Sequence, residues 1–213
     1  MSSSISSKEK VIHAAISLFN TKGFSGTSVR DISDKANVNV AVISYYFKNK
    51  KGLLEYLIAT FLDQYIIEME SVISNEHLTT SKEVLRQMIH RIFCFQSENR
   101  HLARFVYREM TLDNVLIREV MTTYLAKEKY YFKQIFEKGI RNGEFRRVSV
   151  PTVIAQLKGM ITMPFLQPQY LTEVLHVVPY DDFFYKQFEK EMERWMEFAI
   201  CLPPHSQKLA LHL

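Results

Sequence analysis

The sequence predicts an all-α fold: a small N-terminal three-helix unit followed by a larger helical body. Three observations point there. Only 6 Gly and 6 Pro in 213 residues leave too few turn formers for a loop-rich all-β chain. Apolar residues recur at three- and four-residue steps along most segments, as one buried helix face requires. The composition, 47% hydrophobic and 23% charged, is that of a globular protein, and 15 Phe with 11 Tyr promise an aromatic interior. Cys94 and Cys201 are the two cysteines, too few for a disulfide framework, which fits a reducing compartment. The start, Met1 to Lys8, has no apolar core of signal-peptide length. Nowhere do ~18 apolar residues run unbroken, so no membrane span is expected and the expected location is the cytoplasm.

Taken in order, Val11, Ile12, Ala15, Ile16, Leu18 and Phe19 set helical spacing over 7–20, with Ser6 or Ser7 as N-cap and Lys22-Gly23 as stop. Ser28 and Asp31 form a capping-box pattern, with Asp in place of the commoner Glu, for a short helix over 29–36. Asn37-Val38-Asn39 predicts a turn, because Asn tolerates positive φ. Residues 40–47 predict another short helix, broken by Lys48-Asn49-Lys50-Lys51-Gly52. The domain boundary is therefore set at 52/53, giving units 1–52 and 53–213.

Two short helices joined by a tight turn make a helix-turn-helix, whose second helix enters the major groove. That helix needs a slim leading face. Asn39, Val40, Ala41 and Ser44 supply it, while Val38, Val42 and Ile43 can pack backwards. Charge agrees. Residues 1–52 carry eight basic side chains (Lys8, Lys10, Lys22, Arg30, Lys35, Lys48, Lys50, Lys51) against Glu9, Asp31 and Asp34. A basic segment on a near-neutral body suits a polyanion.

The run Gly23-Phe24, Thr27-Ser28-Val29-Arg30-Asp31-Ile32, Ala36-Asn37-Val38 and Tyr45-Tyr46-Phe47-Lys48-Asn49-Lys50, then Leu53, resembles the N-terminal domain of TetR-family regulators. Asn37 stands where the family usually has Gly, and Ser44 where Tyr is frequent. The resemblance implies that Asn39, Val40, Ala41 and Ser44, with Arg30 from the preceding helix, face base edges. It implies that Thr27, Tyr45, Tyr46, Lys48 and Lys50 hold phosphates. Phosphate contacts set register and base contacts set sequence. Lys50→Ala is accordingly expected to weaken all DNA binding and lower the salt slope by about 1, and Arg30→Ala to blur one base position.

The body predicts long helices over 53–74 (Leu54, Leu57, Ile58, Phe61, Tyr65, Met69) and 81–97 (Leu85, Met88, Ile89, Ile92). A shorter helix follows around Leu102 to Met110, then a long one over 115–139. Pro151 suits the first turn of the next helix, which Pro164 and Pro168 end. The last helix spans about 182–200. Stripes Val153, Leu157, Ile161 and Phe184, Phe188, Met192, Trp195 resemble the helix pair through which TetR-family proteins dimerise as a four-helix bundle. Intramolecular core is the other reading of both stripes. A two-fold dimer doubles the DNA site, so a homodimer on a palindromic site is expected.

Arg100, Arg104 and Arg108 recur every four residues, with Arg118 close behind. A solvated face is the default reading; a surface for an acidic protein partner is the sharper one, since arginine pairs carboxylates bidentately. The segments 104–109, 117–119 and 166–170 resemble TetR-like DNA-binding proteins of spore-forming bacilli that modulate the division protein FtsZ. That resemblance implies palindromic sites around the replication origin, nucleoid association, and the arginine face as the FtsZ-facing surface. The rival reading is a ligand-controlled repressor with a pocket near Phe61, Tyr65, Phe93 and Tyr124. Enzyme chemistry is not expected: no phosphate-binding Gly-rich loop, Gly-x-Ser-x-Gly or His-Glu-x-x-His occurs. His90 and Cys94 lie one turn apart and could share a metal face, but no third ligand stands at a recognisable spacing, so no metal and no cofactor is expected.

Overall fold

The computed structural model describes residues 5–112 and 115–203. Among these the elements are helical, in the order α1 (Ser7–Lys22), α2 (Val29–Ala36), α3 (Val40–Phe47), α4 (Lys50–Ile73), α5 (Ser81–Glu98), α6 (Arg100–Met110), α7 (Val115–Val120), α8 (Ala126–Arg141), α9 (Val150–Leu166) and α10 (Asp182–Ala199). π-helical turns at Met121–Leu125 and Tyr170–Val174 complete the order. Two of the expected boundaries are corrected. The predicted break at 48–52 shrinks to Lys48 and Asn49, because the Asn49 carboxamide accepts from the Gly52 amide and starts α4 at Lys50. The 52/53 boundary therefore falls inside a helix. Pro164 does not end α9; it sits in the last turn, where its ring displaces few intrahelical bonds. The predicted helix over 115–139 is a continuous helical run interrupted by the first π turn.

Helices α1 to α3 close around Val11, Phe19, Ile32, Ile43 and Phe47, all buried. Helix α4 carries this unit into the body, where Phe61, Tyr65, Phe95 and Tyr107 pack ring against ring at centroid separations of 5.2–6.5 Å. The two parts also meet where α6 lies on α1. Phe19 stacks on Phe105 at 5.0 Å, and the Asn20 carboxamide donates to the His101 carbonyl at 2.8 Å.

At the far end of the body, α8 has Gly139 because the Phe145 ring occupies the space of a β-carbon there. Phe145 pairs with Cys201 in an antiparallel bridge, flanked by Arg146 N–H to Ile200 O (2.8 Å) and Leu202 N–H to Glu144 O (2.9 Å). These bonds fix the C-terminal end of α10 to the α8–α9 loop.

The dimer stripes need correcting. Val153, Leu157, Ile161, Phe184 and Met192 are buried in the chain's own core. Phe188 stacks on Phe93 at 5.0 Å with an interplanar angle of 8°, and Trp195 is half-buried. Both helices turn these stripes inward because α5 and α6 supply the apolar surface they bury against. What α9 and α10 leave outside is a different set: Ala155, Gln156 and Gly159, with Phe183 77% and Phe198 79% exposed.

Candidate nucleic-acid interface

Helices α2 and α3 are fixed by local chemistry that the sequence spells out. The Ser28 hydroxyl caps the Asp31 amide at 3.0 Å while the Asp31 carboxylate accepts from the Ser28 amide at 2.7 Å. A further bond donated by the Ser28 hydroxyl to that carboxylate and then the one from its amide, with the Lys22 ammonium at 3.0 Å beyond them, hold the Asp31 carboxyl well below the usual carboxylate range. Asn37 takes the left-handed conformation, φ 52° and ψ 52°, and its N–H closes onto the Ser33 and Asp34 carbonyls. The family's usual Gly is thus replaced by a residue that meets the same requirement. Asn39 caps α3, its carboxamide oxygen accepting from the Ala41 amide at 2.8 Å, which leaves its NH2 for a ligand.

Of the residues expected to read bases, Arg30 on α2, the α3 cap Asn39, and Val40, Ala41 and Ser44 on α3 are all exposed. Their opposite neighbours behave as predicted: Ile43 is buried, and Val38 and Val42 are half-buried. Among the phosphate candidates, Tyr45 is 81% exposed, and Tyr46 and Lys48 are exposed beside it. Tyr45 and Tyr46 meet edge to face at 4.9 Å, so each ring restricts the other. Lys48 caps α3 with φ 66°, directing its side chain from the corner between α3 and α4.

Two assignments are corrected. Thr27 is 1% exposed and its hydroxyl donates to the Gly23 carbonyl at 2.8 Å, inside the unit. Lys50 is half-buried: its ammonium donates to the Phe24 carbonyl at 3.0 Å and the Thr27 carbonyl at 2.8 Å, above the Phe24 ring at 4.4 Å. Both side chains spend their donors on carbonyls of the α1–α2 loop beside them, those of Gly23, Phe24 and Thr27. They shape the interface and do not face outward. Sequence reasoning missed this because a lysine in a basic run looks the same whether it points out or in.

The arginine row is also corrected. Arg108 donates to the Asn20 carbonyl at 3.2 Å, at the end of α1, and Arg104 is half-buried with its Nε enclosed. Arg100 lies over the Tyr180 ring at 5.5 Å. Arg108 thus ties the two parts together, while Arg100 is held against the 170–181 segment of the body itself; Arg118 is exposed on α7.

The body contains a polar trio with no sequence signature. The buried Glu128 carboxylate accepts through one oxygen from both the Tyr65 hydroxyl (2.5 Å) and the Lys158 ammonium (2.6 Å). Burial, and then the Glu128 charge, push the Tyr65 and Tyr107 hydroxyls well above the usual phenol range. The expected pocket residues Phe61, Tyr65 and Phe93 are buried against one another's neighbours as close-packed core, and the Tyr124 hydroxyl pairs with Asp63.

A slim exposed helix after a tight left-handed turn, flanked by hydroxyls and an ammonium group, defines a helix-turn-helix DNA-binding protein. Residues 11–57 match the model of "Bacterial regulatory proteins, tetR family". The "Probable HTH-type transcriptional regulator YttP" of Bacillus subtilis is 48% identical over 192 residues, covering 90% of this chain and 93% of that protein. The chain belongs to the TetR family, whose members are DNA-binding transcriptional regulators and dimers. The fatty acid metabolism regulator protein of Bacillus subtilis is 28% identical over 137 residues, 64% of this chain and 70% of that one. Among solved structures, the ketosteroid transcriptional regulator KstR2 of Mycobacterium tuberculosis superimposes with a TM-score of 0.77 at 15% identity, over 94% of this chain and 98% of that one. No described helix is long and apolar enough to cross a membrane.

Proposed function

We propose that this chain is a homodimeric transcriptional repressor that reads an inverted repeat and leaves it when an effector acts on the helical body. The observation that carries the reading is the 48% identity, across nine-tenths of both chains, to a protein named as a transcriptional regulator. In this reading Arg30, Asn39, Val40, Ala41 and Ser44 meet base edges, and Tyr45, Tyr46 and Lys48 hold phosphates, while Lys50 and Thr27 set the shape of the loop behind them. The partner chain packs on the outer faces of α9 and α10. The relative named as a fatty acid metabolism regulator makes acyl compounds the first effector class to try. The protein acts on the nucleoid in the cytoplasm.

A second reading rests on the resemblance of segments 104–109, 117–119 and 166–170 to RefZ, the FtsZ-modulating DNA-binding protein of spore-forming bacilli. It is supported by the close-packed rings of Phe61, Tyr65, Phe95 and Tyr107, which fill the part of the body where an effector would need room. Here the dimer binds palindromes around the replication origin and acts on division-ring assembly. A genome-wide occupancy map in the host tests both. Peaks in promoters, with inverted repeats released by an effector in vitro, support the repressor. Peaks grouped around the origin support the division role.

A further inference from the structure

Helices α5 and α10 run antiparallel and are joined by a ladder of oppositely charged pairs at four-residue steps. Lys82 meets Glu197, Arg86 meets Glu193 at 3.6 Å, and His90 meets Glu189 at 2.5 Å. The first two rungs use permanent cations. The third uses an imidazole, and beside it, one turn on along α5, stands the Cys94 thiol.

The Cys94 sulfur lies 3.6 Å from His90 Nε2 and 3.9 Å from Nδ1. Ligand atoms of His90, Cys94 and Glu189 all lie within 4.8 Å of one another. Around a tetrahedral zinc, bonds of about 2.3 Å to sulfur and about 2.0–2.1 Å to nitrogen or oxygen place neighbouring ligand atoms on the order of 3.3–3.6 Å apart. Nδ1, the nitrogen that faces the carboxylate, stands 3.9 Å from the sulfur, a few tenths of an ångström outside that figure. For Nδ1 to hold the metal, the carboxylate has to part from the imidazole by about an ångström and the sulfur has to close slightly on both. Both side chains can do so, since His90 is 48% and Glu189 30% exposed on the cleft between the helices.

We propose that His90, Cys94 and Glu189 form a site for a borderline transition-metal dication, Zn2+ by ligand chemistry, with water as fourth ligand. A thiolate, an imidazole and a carboxylate are the three donor types that zinc takes and that Mg2+ or Ca2+ does not take together. His90 and Cys94 come from one turn of α5, and Glu189 from α10, 95 residues beyond Cys94, which is why the sequence pattern shows two ligands and no third. The metal replaces the weakest kind of rung in the ladder by a bond between two helices. The site stands apart from the DNA-reading face, and its failure leaves the proposed function untouched.

The test uses the reduced full-length chain, freed of metal with a chelator and titrated with Co2+ and then Zn2+. One equivalent of Co2+ is expected to give a near-ultraviolet thiolate charge-transfer band with tetrahedral visible bands, displaced by Zn2+. Cys94→Ser should abolish the band, and Cys201→Ser should keep it. His90→Gln and Glu189→Gln should each weaken Zn2+ binding by about tenfold or more. Circular dichroism checks that each variant is folded, and Glu189→Gln provides a test outside α5 should a Cys94 variant misfold. A wild-type chain without the band, or a band that survives Cys94→Ser, overturns the site. Undiminished affinity in folded Glu189→Gln overturns the link between the two helices.

Discussion

The DNA-reading unit and the helical body are both helical, yet they are held together by different kinds of information. In α1 to α3 most of the deciding contacts join residues two to nine apart: Ser28 with Asp31, Asn37 with Ser33, Asn39 with Ala41, and Lys22 with Asp31. In the body they join residues far apart, such as Tyr65 with Glu128, Lys158 with Glu128, and His90 with Glu189. Short-range contacts write themselves into spacing, whereas long-range ones depend on which face of each helix the others leave free.

Four sets of variants sharpen that contrast, beginning with the largest effect. Lys158→Met leaves the Glu128 carboxylate buried without its cation and should cost about 3 kcal/mol in urea unfolding at unchanged m-value. Adding Glu128→Gln should restore most of it, because a neutral amide needs no cation and its oxygen still accepts from the Tyr65 hydroxyl. A body as locally determined as the N-terminal unit would show little difference between the single and double variants.

Next come the two faces of α9 and α10. Leu157→Ala removes a fully buried side chain and should cost about 3 kcal/mol. Phe198→Ala, on the outer face, should change folding by no more than about 0.5 kcal/mol while shifting sedimentation towards monomer. The reverse pattern would restore the inward stripe as the dimer seam.

Lys50 and Lys48 separate shape from charge. Lys50→Ala should weaken DNA binding about tenfold by loosening the α1–α2 loop, with the salt slope unchanged. Lys48→Ala should lower the slope by about 1. This replaces the expectation that the sequence attached to Lys50, and equal slope changes in both variants would return Lys50 to the phosphates.

The smallest effect is at the turn. Asn37→Ala puts an unsuitable residue at φ 52° and should cost about 1 kcal/mol, whereas Asn37→Gly should be nearly neutral in thermal unfolding.

These contrasts explain what the sequence made legible. The helices α2 and α3 were readable to the residue because their caps and turn are coded by neighbours. The exposed face of α3 followed from small side chains at helical spacing. Whether Lys50 pointed outward was not readable, since the carbonyls that capture it belong to residues 24 and 27. The dimer stripe failed for a related reason: periodicity shows that Val153, Leu157 and Ile161 share a face and says nothing about what that face meets. The arginine row was legible as a row and its contacts were not, because its partners, the Asn20 carbonyl and the Tyr180 ring, come from distant parts of the chain.

The bridge between Phe145 and Cys201 ties down the C-terminal end of α10 through the backbone, whereas side chains alone hold the rest. With Ile200 and Leu202 bonded to residues 144–146, and Gly139 letting the Phe145 ring seat beneath, the helix is held most firmly where it finishes. A rod held at one end swings in an arc, so any lifting of α10 grows with distance from residue 200. The Lys82–Glu197 rung then acts near the fulcrum with a short lever arm, and the His90–Glu189 rung acts much further along, where the same force resists a larger torque.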